Sequence, residues 1–185
     1  MPRRTCGRCG LPSHRQACPA AGAAFHRAWA PLAYDGVARD LVAALKFRGA
    51  LPVAALMAAH MAANLPAEMR SGAEALVPVP PQPARARKRG FDSAGVLAAE
   101  LATRLVIPEN ACLRRRDREQ RQVGAGRRQR RRAGRLAIEL RAPPPPSVLL
   151  VDDVHTTGAT LDACARTLVA GGCREVRAIT YARTL

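Results

Sequence analysis

Residues 148–160 read Val-Leu-Leu-Val-Asp-Asp-Val-His-Thr-Thr-Gly-Ala-Thr, and this stretch decides the fold. Four apolar residues predict a buried strand over 148–151, and an apolar-periodic helix follows over 160–170. Between them lie two carboxylates and a loop of hydroxyl residues with one glycine. Helix N-termini and loop amides bind anions, and carboxylates accept hydrogen bonds from sugar hydroxyls. The stretch therefore predicts a site for a sugar phosphate.

The residue types of this loop suit different parts of such a ligand. We expect Asp152 and Asp153 to reach one ligand only if the strand has ended before them, because successive strand residues point to opposite faces. One would hold ribose hydroxyls, and the other the sugar or a metal-bound water. The glycine permits a positive φ and close approach of a phosphate. An ordinary capped turn would explain one Asp and one Thr, but not two carboxylates, three Thr and a Gly in nine residues.

Helices and strands alternate on both sides of this stretch. Further strands are predicted at 28–34, 75–79 and 176–181, and further helices at 37–47, after Pro52, and at 92–105 with Asp92 or Ser93 as the cap. This alternation predicts the α/β class, with a parallel sheet flanked by helices. Ligands of such sheets bind at the carboxyl ends of the strands. The ends of the strands at Val79 and Val151 are therefore the two places where we expect a site.

The charge of the chain is strongly basic. Its 185 residues carry 30 Lys and Arg against 14 Asp and Glu, a net charge of +16, and the only two lysines are Lys46 and Lys88. Arginine presents a planar fork of donors that matches phosphate oxygens, which favours a polyanionic ligand or partner. An arginine-rich solvated surface explains the charge equally well. Both interpretations stay open at this point.

Apolar composition favours one domain with a real core and a small appendage. Aromatic residues make up only 3% of the chain, so the core must be built from Ala, Leu and Val. No signal peptide is recognised, and the longest uncharged stretch, 49–67, predicts a packed helix rather than a membrane span. We therefore expect a cytoplasmic protein whose six cysteines form no disulfides.

The stretch at 148–160 resembles the phosphoribosyl pyrophosphate motif of type I phosphoribosyltransferases. Other segments resemble the ComF family, the competence-associated phosphoribosyltransferase-like proteins. They are Tyr34-Asp-Gly, Leu45-Lys46-Phe47-Arg48-Gly49, the run Val77-Pro78-Val79-Pro80, Arg89-Gly90-Phe91, and Arg116-Asp117 followed by Gln120. The resemblance covers nearly the whole chain in the same order. It implies a type I phosphoribosyltransferase-like fold that binds Mg²⁺ with phosphoribosyl pyrophosphate or a nucleotide.

The resemblance also assigns residues to the two ends of that ligand. The ribose 5-phosphate would lie against Asp152, Asp153, Thr156, Thr157, Gly158, Ala159 and Thr160. The pyrophosphate would lie against Pro78, Val79, Pro80, Arg85 and Arg89. Four cations within residues 85–89 suit a pyrophosphate, and Mg²⁺ is usually held by phosphate oxygens and waters. A solvated basic turn is the alternative. Lys46 and Arg48 could also contact ligand, although cations are favourable at the end of any helix.

The implied reaction is displacement at the anomeric carbon of ribose, in which the protein positions the groups and stabilises charge. Asp152 and Asp153 would be its catalytic residues, and no acceptor base can be named. The family further implies a role in DNA uptake during natural transformation, with single-stranded DNA and a competence helicase as partners. The alternative is a non-catalytic module that senses nucleotides or binds single-stranded DNA, because a fold does not fix an activity.

Residues 114–135 form an arginine-dominated segment with eleven Arg and a local charge of +9. By resemblance it takes the place of the loop that covers a phosphoribosyltransferase active site and excludes water. By charge alone it suits a nucleic-acid backbone, although it contains no aromatic residue for base stacking. A solvated linker is the third interpretation. Arg131 stands near the position where the family usually has an Asn after the Gln.

The N-terminal residues 1–24 predict a small zinc-knuckle-like segment, ahead of a phosphoribosyltransferase-like domain over 25–185. Cys6 and Cys9 are spaced so that both thiolates can reach one Zn²⁺, and Cys18 adds a third. Ala21 stands where the ComF resemblance implies a fourth cysteine. His14 or His26 could replace it, and we prefer His26. A degenerate site that binds zinc poorly is the alternative.

Overall fold

The computed structural model describes residues 6–11, 17–116 and 137–185. Its strands are β1 (Arg27–Trp29), β2 (Leu32–Ala33), β3 (Ala75–Pro78), β4 (Leu113–Arg115), β5 (Ile138–Leu140), β6 (Ser147–His155) and β7 (Glu175–Arg183). The main sheet has five strands, all paired in parallel, in the order β1-β7-β6-β3, with β2 also on β7. The strands β4 and β5 form a separate antiparallel pair.

Helices cover both faces of the sheet. They are α1 (Gly36–Arg48), α2 (Pro52–Asn64), α3 (Ala67–Arg70), α4 (Pro83–Arg89), α5 (Ser93–Leu105) and α6 (Ala159–Ala170). Most buried residues of α1, α2 and α5 belong to one core cluster, and Ala94 of α5 and the buried residues of α6 belong to a second. The predicted α/β class, with a parallel sheet flanked by helices, is confirmed.

The central strand β6 shows why this sequence forms a sheet that is covered on both faces. Leu149 and Val151 belong to the core cluster under α1, α2 and α5, whereas Val148 and Leu150 belong to the cluster under α6. All four side chains are fully buried. A continuous apolar run is the pattern expected of a parallel strand that has helices on both sides.

The end of this strand differs from the prediction. The strand runs on to His155 instead of ending at Val151, because β7 continues to Arg183 and stays in register with it. Asp152 lies opposite Thr180, and His155 lies opposite Arg183. The two carboxylates are therefore strand residues that alternate between the faces of the sheet. The condition under which both would face one ligand is not met in this structure.

Two other elements also differ from their predictions. The strand expected over 28–34 is split into β1 and β2, and both parts pair with β7. The basic residues at 85–89 lie on the short helix α4 rather than in a turn. Pro83 starts this helix, where a proline loses no hydrogen bond and its φ suits the helix.

The helix predicted in the long uncharged stretch is α2, and it packs into the core. Met57 and Met61 are buried, although Leu56 is 59% exposed. Among the helices of the described residues, none combines the length and the apolar character needed to cross a membrane.

Most of the arginine-dominated segment lies outside the described residues, and so do His14, Asp117, Gln120 and Arg131. Its first residues belong to β4, where Arg114 pairs with Glu139 of β5 at 3.2 Å. At the other end of the chain, Cys9 and Ala20 belong to the same core cluster as the buried face of α6. The domain boundary at residue 24 stays a prediction.

Candidate functional site

The carboxyl ends of β3 and β6 lie side by side at one edge of the sheet. Pro78 is paired with Val151, and the backbone N–H of Val79 donates to the carbonyl of Val151 at 2.9 Å. Pro78, Val79 and Pro80 are buried. The loop after β3 and the end of β6 can therefore contact the same ligand.

Asp153 forms an ion pair and a hydrogen bond on the face of the sheet that is covered by α1 and α5. It is 3% exposed, and its carboxylate lies 2.7 Å from Nζ of Lys46. Its other oxygen accepts a hydrogen bond from the hydroxyl of Ser93 at 3.0 Å. Lys46 is the third-last residue of α1, and Ser93 is the first of α5. The carboxylate thus joins two helices to the central strand.

Asp152 is less buried and less constrained. One of its oxygens accepts from the backbone N–H of Asp153 at 2.9 Å. Burial raises the pKa of Asp152 well above its usual range, and the charge of Asp153 adds to the rise. Burial also raises the pKa of the Cys164 thiol on α6, with a contribution from Asp152. Asp152 therefore lies on the α6 side of the sheet.

The carboxyl group of Asp92 lies close to that of Asp153. The side chain of Asp92 caps α5 by accepting from the N–H of Ala94 at 3.1 Å. Burial raises the pKa of Asp92, and the charge of Asp153 contributes to the rise. Cap residues are common, so the sequence gives no signal that Asp92 and Ser93 belong to the same cluster of charges as Asp153.

The hydroxyl loop connects β6 to the N-terminus of α6. Thr156 and Thr157 are exposed, Thr160 is half-buried, and Ala159 begins the helix. Gly158 has φ +76°, as expected for a close approach. A Cβ atom at this position would lie 2.7 Å from Nε2 of His155, so the side chain of His155 also requires a glycine here.

His155 is buried beneath this loop. It is 4% exposed, and its ring meets that of Phe25 edge-on at 6.2 Å. Burial lowers its pKa to about 4, and the neighbouring Arg183 guanidinium contributes. The imidazole is therefore neutral at pH 7, and its Nδ1 lies 3.4 Å from a terminal nitrogen of Arg183.

The cations that we expect to face the pyrophosphate lie on α4. Arg85 is exposed, and Arg89 is half-buried with its guanidinium 5.2 Å from the ring centre of Phe47. Phe47 is 76% exposed and precedes Arg48, the last residue of α1. A cation over an aromatic face is an attractive arrangement. The contact joins the end of α1 to α4.

Three cysteine sulfurs converge in the N-terminal segment. The sulfurs of Cys6, Cys9 and Cys18 all lie within 4.8 Å of one another, close enough to hold one metal ion. Burial raises the pKa of Cys9, so its thiol stays protonated unless a cation binds. Cys112, Cys164 and Cys173 are buried elsewhere, as expected for small core residues.

Among the described residues, the group close enough to hold a metal ion consists of the three cysteines without His26, and His26 as the fourth ligand stays a prediction. Its Nδ1 accepts a hydrogen bond from the backbone N–H of Val176 at 3.3 Å. His26 immediately precedes β1, and its own backbone N–H donates to the carbonyl of Val176 at 2.8 Å, so the pairing of β1 with β7 holds it against the sheet.

Arg183 is the residue of this region that the sequence gives least reason to notice. It ends β7, is 7% exposed, and lies between His155 and the cysteine turn. Burial lowers its pKa, whereas the nearby Cys9, Cys18 and Cys6 act to raise it. An arginine at a strand end is unremarkable in a chain with so many, and only the pairing of β6 with β7 brings it to the loop.

No protein-family model matches the chain. Among curated proteins it is 35% identical to Competence protein F of Haemophilus influenzae over 115 residues. The match covers 60% of this chain and 50% of that protein, so the chain spans about half the length of this relative.

Two solved structures show a looser similarity. Glutamine phosphoribosylpyrophosphate amidotransferase from B. subtilis, complexed with ADP and GMP, matches 68% of this chain and 26% of its own, with 22% identity and a TM-score of 0.48. Orotate phosphoribosyltransferase from Aeropyrum pernix matches 73% and 60%, with 20% identity and a TM-score of 0.41. The sequence match to Competence protein F confirms the resemblance to the ComF family that the motifs of this chain predict.

Proposed function

We propose that this chain binds Mg²⁺ with phosphoribosyl pyrophosphate at the carboxyl ends of β3 and β6. One observation carries the proposal: the strand β6, which contains Asp152 and Asp153 near its carboxyl end, leads through a hydroxyl loop into a helix N-terminus, beside the buried Pro78-Val79-Pro80 loop. The loop amides suit the 5-phosphate, and the cations that follow suit the pyrophosphate. Mg²⁺ would come with the phosphates and need few protein ligands.

The two carboxylates would then have separate tasks. Asp152, which accepts a hydrogen bond from the backbone N–H of Asp153, would accept hydrogen bonds from ribose hydroxyls. Asp153 is already paired with Lys46 and Ser93, so it would hold the strand end and the ammonium group in place. Arg85 and Arg89 would face the pyrophosphate. Arg48 follows Phe47, whose ring contacts Arg89, and would add positive charge to this end of α1. Lys46 is paired with Asp153, so it would contribute to the ligand site mainly by holding that carboxylate.

If the chain catalyses transfer, a nucleophile attacks the anomeric carbon while the bond from that carbon to the pyrophosphate oxygen breaks. The pyrophosphate departs with the bonding electrons. The protein would contribute by holding the ribose and by stabilising charge on the leaving group. The chain would then be a phosphoribosyltransferase whose acceptor is open. Binding without turnover would instead favour a nucleotide-sensing module.

Calorimetric titration with phosphoribosyl pyrophosphate and Mg²⁺ tests the binding step, and pyrophosphate release with candidate bases tests turnover. We expect Asp152→Asn to weaken binding at least tenfold, because the amide offers one acceptor oxygen to the ribose hydroxyls where the carboxyl group offers two. Asp40→Asn on the exposed side of α1 is the control and should bind as the wild type does. Absence of binding in the wild type, or equal binding by Asp152→Asn, would overturn the proposal.

The name of the relative motivates a role in competence. We propose that the chain acts in DNA uptake, with single-stranded DNA and a competence helicase as partners. The specific observation that favours a nucleic-acid partner is the net charge of +16 with eleven Arg in residues 114–135. A phosphate backbone binds such a charge independently of sequence.

We further propose that Cys6, Cys9 and Cys18 hold a structural Zn²⁺. Three sulfurs within 4.8 Å are soft ligands that suit this ion. We expect about one Zn²⁺ per chain by a chromogenic chelator assay, and loss of most of it in Cys6→Ser. Cys173→Ser is the matched control, since that thiol is buried away from the cluster. Equal zinc content in Cys6→Ser and the wild type would reject the site.

A further inference from the structure

A cavity of about 370 Å³ separates the hydroxyl loop from the N-terminal cysteine segment. One wall is the loop itself, from Thr156 to Ala159, together with Arg183 and Thr184. Asp162 of α6 also lines the cavity, and its carboxylate accepts from the N–H of Ala24 at 2.7 Å and from Nε of Arg166 at 2.9 Å. The opposite wall contains Leu11, Pro19 and Ala20 of the cysteine segment. We call this space the loop cavity. One of its walls is polar and the other is apolar.

Arg183 is a buried cation in the wall of the loop cavity. Its side chain is 7% exposed, and its Nε atom has no hydrogen-bond partner among the described residues. No carboxylate of the described residues forms an ion pair with it. His155 lies 3.4 Å from a terminal nitrogen but is neutral at pH 7, since its pKa is about 4. Burying a cation without a counter-ion is costly, so the arrangement favours an anion in the cavity.

The loop supplies further donors on the same side. The twelve-residue helix α6 begins at Ala159, and its N-terminus carries partial positive charge. The N–H of Ala159 makes a long hydrogen bond of 3.4 Å to the hydroxyl of Thr157. A phosphate oxygen in the cavity would be a better acceptor for this N–H. Backbone amides, threonine hydroxyls and one guanidinium together form the donor set that a phosphate monoester requires.

We propose that Arg183 binds the phosphate monoester of the ligand in the loop cavity, and that the cysteine segment forms the outer wall of this phosphate site. The inference rests on the proposed function and deepens it, because it adds a charged side chain to a loop that otherwise offers amides and hydroxyls. It also gives the N-terminal segment a part in ligand binding, since Leu11 and Ala20 close the cavity.

The guanidinium of Arg183 could instead serve the cysteine cluster, formed by Cys6, Cys9 and Cys18, which lies on its other side. A terminal nitrogen of Arg183 would lie 3.6 Å from a Cβ atom built on Gly10, which places the guanidinium against the cysteine turn. Three thiolates on a divalent ion carry a net negative charge that a nearby cation would balance. The experiment must therefore separate phosphate binding from metal binding.

Ribose 5-phosphate is the probe, titrated calorimetrically into the full chain with ribose as the phosphate-free comparison. We expect Arg183→Gln to weaken ribose 5-phosphate binding about tenfold to a hundredfold, as expected when one charged hydrogen-bonding group is removed. Arg183→Lys keeps the charge but not the fork, and should lose less. Arg177→Gln is the matched control: Arg177 is 4% exposed on the same strand, donates to the carbonyls of Glu68 and Ser71, and does not line the cavity.

A measurement on the unmodified protein covers the case in which Arg183→Gln does not fold. In ¹⁵N-labelled wild type, ribose 5-phosphate should shift the amide signals of Gly158 and Ala159 and the Nε–H signal of Arg183. Equal affinity of folded Arg183→Gln and wild type, or an unmoved Arg183 signal while the loop amides shift, overturns the inference.

The competing role has its own signature. If Arg183→Gln lowers Zn²⁺ affinity and leaves ribose 5-phosphate affinity unchanged, the guanidinium serves the thiols and the inference fails. If the wild type binds phosphoribosyl pyrophosphate and Arg183→Gln binds it equally well, only the role of Arg183 fails. Absence of any phosphoribosyl pyrophosphate binding by the wild type removes the proposed function itself.

Discussion

At the scale of single residues, position 158 requires glycine for two reasons, its backbone conformation and the nearby side chain of His155. It has a positive φ, and a Cβ atom there would lie 2.7 Å from His155. We expect Gly158→Ala to lower the free energy of unfolding by about 2–4 kcal/mol, because left-handed backbone costs about 1–2 kcal/mol and the ring must also move. Urea denaturation measures the change.

Gly72→Ala is the matched control for this prediction. Gly72 has φ +69° but no atom within 4 Å of an added Cβ atom, so only the backbone cost applies. The difference between the two variants is the cost of displacing His155. Equal destabilisation would mean that the loop accommodates the methyl group without disturbing the ring.

His155 makes stability depend on pH. Its folded pKa of about 4 is depressed, so the unfolded chain takes up the proton first and stability falls as pH drops below about 6.5. At pH 5 the loss is about 2 kcal/mol, at 1.36 kcal/mol per pKa unit. The raised pKa values of Asp92 and Asp152 act in the opposite direction. The measurement is therefore the difference in unfolding free energy between wild type and His155→Gln.

This difference should shrink as the pH is lowered from 7 to 5. The wild type loses stability because its buried imidazole resists protonation, whereas His155→Gln has no imidazole at this position. A difference that stays constant between these two pH values would show that His155 is protonated without cost in the folded protein.

At the scale of elements, Lys46, Ser93 and Asp153 connect the end of α1 and the start of α5 to the end of β6. Removing one partner of a buried pair leaves an uncompensated charge. We expect Lys46→Met to lower the free energy of unfolding by about 2–4 kcal/mol, and the double variant with Asp153→Asn to recover part of that stability. A double-mutant cycle in urea yields the coupling energy.

The exposed pair of Arg104 and Glu100 on α5 is the comparison for this cycle. Ion pairs of this kind, four residues apart on a helix, contribute about 0.3–0.5 kcal/mol. A coupling between Lys46 and Asp153 no larger than that would mean that the pair does not hold the elements together.

The elements also show where reasoning from sequence succeeds. The apolar run of β6, the cap at Asp92 and the positive φ of Gly158 follow from local chemistry, and the structure has all three. The extension of β6 to His155 does not, because it depends on pairing with β7, whose residues lie 28 positions further along. Taken alone, the polar residues Asp152, Asp153 and His155 indicate a loop. They form a strand here because β7 lies beside them and pairs with them.

The thiol cluster and Arg183 illustrate the same limit for the site. Spacing predicts that Cys6 and Cys9 can share a metal ion, and the structure brings Cys18 to them. The approach of Arg183 to this turn joins residues that are far apart in sequence, so no local pattern indicates it. The position of His26 is likewise decided by the pairing of β1 with β7.

At the scale of the whole molecule, the charge of +16 should make nucleic-acid binding strongly dependent on salt. We expect the slope of log affinity against log salt for single-stranded DNA to be steep, and to flatten when five arginines are changed to alanine: Arg127, Arg128, Arg130, Arg131 and Arg132. Each phosphate that is no longer neutralised by the protein reduces the slope by about 0.7 for a single strand. Fluorescence anisotropy at several salt concentrations measures it.

A second variant removes the same number of charges elsewhere, at Arg39, Arg70, Arg104, Arg141 and Arg174, all of them exposed. Its slope should change less than that of the first variant. Equal flattening in both would show that DNA responds to net charge alone and that the arginine-dominated segment has no special part.

The position of β7 in the sheet has a consequence for how the chain folds. This strand lies between β6 and β1. Arg177 of β7 is paired with Arg27 of β1, which lies 150 positions earlier in the chain. Contacts between distant parts of a chain form late, because a long loop must close before they contribute. On a ribosome the centre of the sheet cannot assemble until β7 has been synthesised and has left the exit tunnel. Until then one edge of β6 has no partner strand, and unpaired strand edges make incompletely folded chains prone to aggregation.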